Sequence, residues 1–397
     1  MIIFSSITLV QGLSTKSAIY SSLIETTNKQ RDASIKFKST PNIYLIHLES
    51  YQSPTAMEKL YDFDNKEFIN ELSKNDFFVA RNNFSNYYDT LTSVGAMFLQ
   101  QHHYYKVSKG IFDSIGIRDM IGGRTYNPTL AILKNNGYKI NFIHSHVYTF
   151  MGNDYLDYYH PSNSLHDSLL ILQSSIIDAA RKSLFKINTL SKRKMNISEG
   201  ELVEKILWDK LEESNATDQP SFYYINHWGA IHTPPNGAYT WKDNREERWM
   251  NYYTETVKSV NSDLLKMTNK IISMDPEGII ILYGDHGSML YRDVWTDNKH
   301  NVDINDLIYQ RKMLSAENLS LDIFGTFLAV RYLNGNPNFQ DGETHVNLFR
   351  NLFSTLAENV VLLEYKPENN SYLYDDNKLY LMIEDGVPLE RIVTLEK

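Results

Sequence analysis

The chain has 397 residues, of which 42% are hydrophobic and 22% charged, and a net charge of −9. That composition is ordinary for a folded protein and large enough for one big α/β domain or two smaller ones. A negative balance with no strongly basic block argues against a nucleic-acid partner. The absence of cysteine excludes disulfides, thiol catalysis and cysteine-bound zinc.

The start, Met1 to Val10, is apolar but lacks a positive leading region and the ~20 apolar residues of a spanning helix. It reads either as the remnant of a membrane segment or as an ordinary amphipathic start. Residues 13–40 are polar and read as a linker or surface helix, so 1–40 is set apart as a linker or membrane-proximal stub. From Pro41 strands alternate with helices. Asn42 to Ser50 is a strand, opened by a helix-blocking proline and filled with β-branched and aromatic residues. Thr129 to Asn136 is helical, and Gly137 to His144 supplies the helix stop and the next strand.

Residues 164–213 read as helix, with an apolar stripe through Leu169, Leu172, Ile176 and Leu184 and basic residues after it. Such a helix either lies on anionic lipid or covers the sheet. Phe222 to His227 is a strand, Tyr252 to Met274 a long helix, and Ile279 to Tyr283 a buried strand. Gly325 to Arg331 is a strand, and Thr344 is placed as the cap of the helix that follows it. The last forty or so residues form a short antiparallel group, with turns at Asn369-Asn370 and Asp375-Asp376. Alternation of this kind predicts an α/β fold with a mixed, mostly parallel central sheet flanked by helices and a small C-terminal strand subdomain. The expected divisions are 1–40, 41–355 and 356–397.

Three strand ends carry the chemistry. The strand at Ile279 runs into Gly284-Asp285-His286-Gly287. Carboxylate and imidazole side by side suit a divalent metal, and the flanking glycines are expected to let the backbone turn around the ion. The strand at Ile43 delivers Glu49. The strand at Phe222 leads to a Pro-rich turn with His232. In open parallel sheets ligands bind outside the carboxyl ends of the strands, so these residues are expected at one edge. The structural alternatives are that Glu49 caps a helix and His232 orients a proline turn. A hydroxyl-rich turn, Asn86 to Phe98, leads into an apolar helix start, where backbone N–H groups favour a phosphate. It is either a nucleophile turn or a capping region.

In order, Glu49 at the first strand end, the turn at Thr90, His232-Thr233-Pro234 and Gly284-Asp285-His286-Gly287 resemble the alkaline phosphatase/sulfatase superfamily. Within it the chain is most similar to the lipoteichoic acid synthase and phosphoethanolamine transferase branch, over about residues 41–355. Leu133 to Tyr138 and His345 to Phe349 add to the match. The resemblance implies that Thr90 is the nucleophile, with Thr92 or Ser93 as second choices. It implies that Glu49, Thr90, Asp285 and His286 hold a divalent metal, Zn or Mn/Mg. His232 would meet the transferred group or a second metal, and His300 would be a further substrate-side histidine.

The implied function is transfer of a substituted phosphate, phosphoglycerol or phosphoethanolamine, from a phospholipid donor to an envelope glycan or lipid acceptor. The implied location is the periplasmic or extracellular face of the bacterial inner membrane, with membrane association. A phosphoric or sulfuric ester hydrolase of the same superfamily and a catalytically silent glycan-binding surface protein are the alternatives. No Cys/Ser-X-Pro-X-Arg signature is present, which sets the chain apart from formylglycine sulfatases. The paired cysteines of many phosphoethanolamine transferases are absent too. Ser145 to Asp154 replaces the Trp and Arg with which lipoteichoic acid synthases grip glycerophosphate.

Overall fold

The structure, a computed structural model, describes residues 32–103, 126–144, 155–160, 197–217, 219–227, 245–291, 303–310, 314–333, 338–375 and 378–395. Its strands are β1 Ile43–Leu48, β2 Phe77–Val79, β3 Asn83–Phe84, β4 Lys139–Ile143, β5 Tyr158–His160, β6 Ser221–His227, β7 Ile279–Gly284, β8 Leu328–Arg331, β9 Glu343–Thr344, β10 Ser371–Asp375, β11 Lys378–Glu384 and β12 Val387–Leu395. The helices that matter below are α1 Pro54–Tyr61, α2 Thr90–Leu99, α3 Pro128–Asn135, α4 Ile197–Asn215, α5 Arg245–Met274, α6 Ala316–Phe324 and α7 Leu348–Leu356. Of the helix expected over 164–213, residues 164–196 lie outside the described residues and the rest falls in α4, and most of the N-terminal stub also lies outside them.

Every residue of β1 and β7 is buried. That is why both read as apolar runs, β1 interrupted only by His47: a strand covered on two faces has no polar side to alternate with. They lie at the centre of a seven-stranded sheet ordered β2-β8-β7-β1-β6-β4-β5. β1 pairs in parallel with β6 and β7, while β8 runs antiparallel to β7 and β2. The sheet is mixed and mostly parallel, with helices on both faces, as the alternation predicts.

Period-two alternation divides the core. Tyr44, Ile46, Tyr223, Ile280 and Leu282 pack with Tyr253, Val257 and Leu264 of α5 on one face. Ile43, Leu45, Tyr224, Ile281 and Tyr283 pack with Met97 and Phe98 of α2 and with Phe349 and Leu352 of α7 on the other. The C-terminal strands form a separate antiparallel sheet ordered β10-β11-β12, whose Leu373, Tyr380 and Met382 join the first of these cores. Its tight turn is at Asp385-Gly386, where φ is 48° and 78°, the left-handed pair that a two-residue hairpin needs. Thr344 occupies the cap position of a 3-10 turn, His345–Asn347, but its side chain makes no capping bond. It ends β9, and its hydroxyl bonds Asn369 Oδ1 at 3.2 Å, with a 3-10 turn before α7.

The glycines around Asp285-His286 serve packing and not a sharp turn about an ion. A Cβ on Gly284 would sit 2.1 Å from the Tyr51 carbonyl oxygen, and one on Gly287 would sit 1.9 Å from that of Asp322. Both contacts are to backbone that cannot rotate away. Gly284→Ala is therefore expected to lower stability by about 3 kcal/mol, read as a lower urea midpoint at unchanged slope. A midpoint equal to the parent's would show that the β7 end tolerates a side chain.

Candidate active site

The carboxyl ends of β1, β6 and β7 are level: Leu48 is in register with His227 on one side and Gly284 on the other. The residues just past these ends meet at the sheet edge. After Glu49 the chain turns through Ser50, whose φ of 55° is unusual for a residue with a side chain. That turn aims the Ser50 N–H at Asp285 Oδ1, 2.9 Å away. The Tyr253 hydroxyl donates to the Ser50 carbonyl at 2.7 Å and locks the bend. Beyond His286, the Asp322 carboxylate accepts from the N–H groups of Leu290 and Tyr291, each at 2.8 Å, and pins the loop.

Glu49, Thr90, Asp285 and His286 come together. His286 Nε2 lies 3.5 Å from both Glu49 Oε1 and Asp285 Oδ2, and the Thr90 hydroxyl donates to Glu49 Oε1 at 3.4 Å. Donor atoms at about 2.1 Å from one tetrahedral ion stand about 3.4 Å apart. Asp285 is fully buried and His286 2% exposed, whereas Glu49 is 27% exposed, so the cluster opens on the Glu49 and Thr90 side. Asp285 Oδ2 is a buried oxygen without a hydrogen-bond partner. An orphaned carboxylate oxygen facing an imidazole, a second carboxylate and a hydroxyl fits a divalent cation.

The electrostatics agree. Burial raises the Asp285 carboxyl, but His286, His47 and the Ser50 N–H outweigh it and hold it well below the usual range. Burial likewise opposes a charge on His286, yet Asp285 and Glu49 push it up to about 10.

Thr90 opens α2, behind the N-cap Asp89, whose side chain accepts from the Thr92 N–H at 3.1 Å. The other hydroxyls of this turn are committed. Thr92 Oγ1 donates to Asp89 Oδ2 and Ser93 Oγ to the Tyr87 carbonyl, both at 2.7 Å. Thr90 is the one directed at Glu49. Burial raises the Asp89 carboxyl, against the Thr92 bonds and His286. His232 and His300 lie outside the described residues.

Sequence reasoning missed His47. It is two residues before Glu49 on β1, fully buried, with Nε2 3.3 Å from Asp285 Oδ2 and 3.9 Å from Glu49 Oε2. Its signal was present, since one histidine interrupts an apolar strand and Glu49 follows at the strand's period of two.

Two further buried histidines are structural. His103 Nε2 meets the Thr92 carbonyl at 3.0 Å, and His345 Nε2 meets the Thr326 hydroxyl at 3.1 Å. Burial pulls them down to about 4 and about 3, with Asp285 opposing it at His345. Both are neutral when folded and take up protons near pH 6.5 when unfolded, so stability falls as pH drops below about 6.5. The expected slope is at most about 1.4 kcal/mol per pH unit for each histidine. Urea unfolding between pH 7 and pH 4 measures it. His103→Gln and His345→Gln should each flatten the profile, and parallel profiles would refute the assignment.

Sheet order, strand directions and the edge where the donors gather define an alkaline phosphatase-like fold, the fold of an enzyme superfamily. The family model described as Sulfatase matches residues 41–350, and the chain belongs to the sulfatase family. A protein in the alkaline phosphatase superfamily from Vibrio parahaemolyticus is 11% identical with a TM-score of 0.52, covering 91% of this chain and 80% of that one. The phosphonate monoester hydrolase of Agrobacterium radiobacter is 9% identical with a TM-score of 0.51, covering 90% and 89%. The C-terminal periplasmic domain of EcEptC from Escherichia coli, in complex with Zn, is 12% identical with a TM-score of 0.49, covering 87% and 93%. At these identities the likeness to the Vibrio and Agrobacterium proteins is one of fold alone. No curated protein matches the chain.

Proposed function

We propose that this chain is a phosphotransferase that moves a phosphoglycerol or phosphoethanolamine group from a phospholipid to an envelope glycan or lipid, through a phosphorylated Thr90. The observation that carries this reading is the Thr90 hydroxyl, set at the start of a helix and directed at Glu49 within a cluster that fits a divalent ion. The backbone N–H groups of the first helical turn favour an anionic group at that end. When bound at Glu49, Thr90, Asp285 and His286, a divalent ion supplies Lewis acidity that favours the ionised hydroxyl and offsets phosphoryl charge.

In the first half-reaction the Thr90 hydroxyl gives up its proton as its oxygen bonds to phosphorus, and the bond from phosphorus to the diacylglycerol oxygen breaks. The departing oxygen takes a proton. In the second, an acceptor hydroxyl gives up its proton and attacks phosphorus, the bond to Thr90 breaks, and the Thr90 oxygen takes a proton back. His232 and His300, assigned by resemblance, are the acid and base of these transfers. No helix among the described residues is long and apolar enough to cross a membrane. Approach to lipid on the outer side of the inner membrane therefore belongs to the proposal.

Intact-mass spectrometry tests the reading, after the metal-loaded chain is incubated with mixed bacterial phospholipids. A phosphoglycerol or phosphoethanolamine adduct on Thr90, discharged by an alcohol acceptor, is expected. Discharge by water at the same rate would make the chain a hydrolase. A mass that never changes, with no lipid consumed, would end the covalent reading.

A further inference from the structure

We infer that His47 is a positioning residue for the metal centre: its Nε2–H faces Asp285 Oδ2 and steadies the carboxylate by charge and dipole, and it is not itself a ligand. This inference rests on the metal centre of the preceding section. Its basis is a difference between the two histidines that flank Asp285.

His286 Nδ1 lies 2.8 Å from the Gly287 carbonyl. A carbonyl only accepts, so Nδ1 carries a hydrogen, and once an ion displaces the proton on Nε2 that nitrogen turns its lone pair toward Glu49 and Asp285. That is the tautomer of a metal ligand. His47 is arranged the opposite way. Its Nδ1 faces the Tyr224 hydroxyl at 2.8 Å and the Asn226 side-chain amide nitrogen at 3.3 Å. The amide nitrogen only donates. Tyr224 completes the direction of the chain when it accepts from Tyr283, whose hydroxyl is 3.0 Å away. Nδ1 of His47 is then the acceptor and Nε2 carries the hydrogen. A nitrogen that holds a proton has no lone pair for an ion.

The placement has a simple origin. His47 is in register with Asn226 on β6 and with Tyr283 on β7, so three side chains of adjacent strands stand in one row. The imidazole stacks on the Tyr283 ring with centroids 5.2 Å apart, which fixes its plane. Nε2 stands 3.3 Å from Asp285 Oδ2, and both are buried atoms without a formed hydrogen bond, so each faces the other as an unsatisfied donor and acceptor. Asp285 Oδ1 is already taken by the Ser50 N–H. His47 thus sets an N–H dipole against the second oxygen of that carboxylate, which stays open to the ion. Groups that hydrogen-bond a ligating carboxylate fix its orientation, and their loss typically costs 10–100-fold in metal affinity.

The test is titration of metal-free protein with Co²⁺, read by its visible absorption, and competition with Zn²⁺ for affinity. Parent, His47→Ala and His47→Gln are compared. His47→Ala should weaken Zn²⁺ binding by about 10–100-fold, with Co²⁺ band positions and intensities unchanged because the ligand set is unchanged. Glutamine places an amide N–H where the ring Nε2–H was, so His47→Gln should stay within about threefold of the parent and keep the same bands. If His47→Ala does not fold, His47→Gln carries the test alone. Shifted bands in either variant would make His47 a ligand and overturn the inference. Parental affinity in His47→Ala, or a loss of about tenfold or more in His47→Gln, would overturn it as well. A parent chain that binds no ion would remove the metal centre too, whereas the other adverse results leave that centre standing.

Discussion

Thr90→Ala is expected to reduce turnover to background, a loss of about 10⁴-fold or more, while the fold stays intact. Both halves follow from where the residue sits. Thr90 is half-buried at the first position of α2, and its hydroxyl contacts Glu49 at 3.4 Å. The bonds that start the helix belong to its neighbours, since Asp89 caps the Thr92 N–H. A surface change that leaves cap and core alone usually moves stability by about 0.5 kcal/mol or less. The assay is release of diacylglycerol from fluorescent phospholipid, run beside intact-mass analysis and a thermal melt. Loss of both the adduct and the release, at an unchanged melting point, supports Thr90 as nucleophile. Full release by the variant would move the role elsewhere, and Thr92 and Ser93 are poor substitutes because their hydroxyls already bond Asp89 and the Tyr87 carbonyl.

Asp285→Asn should empty the metal centre and destabilise the metal-free chain as well. The amide keeps shape and hydrogen-bonding capacity but removes the buried charge. Without it His286, pushed up to about 10 in part by Asp285, loses its principal counter-charge. Breaking a buried ion pair by removing one partner costs about 3–5 kcal/mol. The sign with pH follows from the two shifts. The depressed Asp285 carboxyl contributes stability above its ordinary pKa of 3.8 and loses it as pH falls. The raised His286 contributes fully below 6.5 and loses it as pH rises toward about 10. The destabilisation is therefore largest between these limits, and urea unfolding of the metal-free variant near pH 5–6 reads it directly. Elemental analysis of protein purified without chelator should find about one ion per parent chain and none in the variant. An ion retained by Asp285→Asn would show that the carboxylate is not a ligand.

The central strands were legible because burial on both faces writes itself as a contiguous apolar run. Ile43–Leu48 and Ile279–Gly284 are such runs, and a polar residue at the end of either stands out. Glu49, Asp285 and His286 were visible for that reason. The choice among Thr90, Thr92 and Ser93 was not, because three hydroxyls within one helical turn are equivalent until the cap geometry assigns each a partner. Thr344 misled for the same kind of reason: a threonine ahead of an apolar helix has the form of a cap, but here a short strand pairing and Asn369 claim it. The glycines of Gly284-Asp285-His286-Gly287 were read as turn-makers. Their need comes from the Tyr51 and Asp322 carbonyls, which are remote in sequence.

By itself, then, the sequence determined the α/β class, the parallel strands at its centre and the residue types that end them, because local periodicity encodes burial. Only the tertiary structure decided which hydroxyl faces Glu49 and what His47 does. An imidazole's tautomer is set by the groups around its two nitrogens. For His47 those are Tyr224 and Asn226 of β6 and Asp285 just past β7, brought together on either side of β1 by register, and no local pattern in the chain records that they meet.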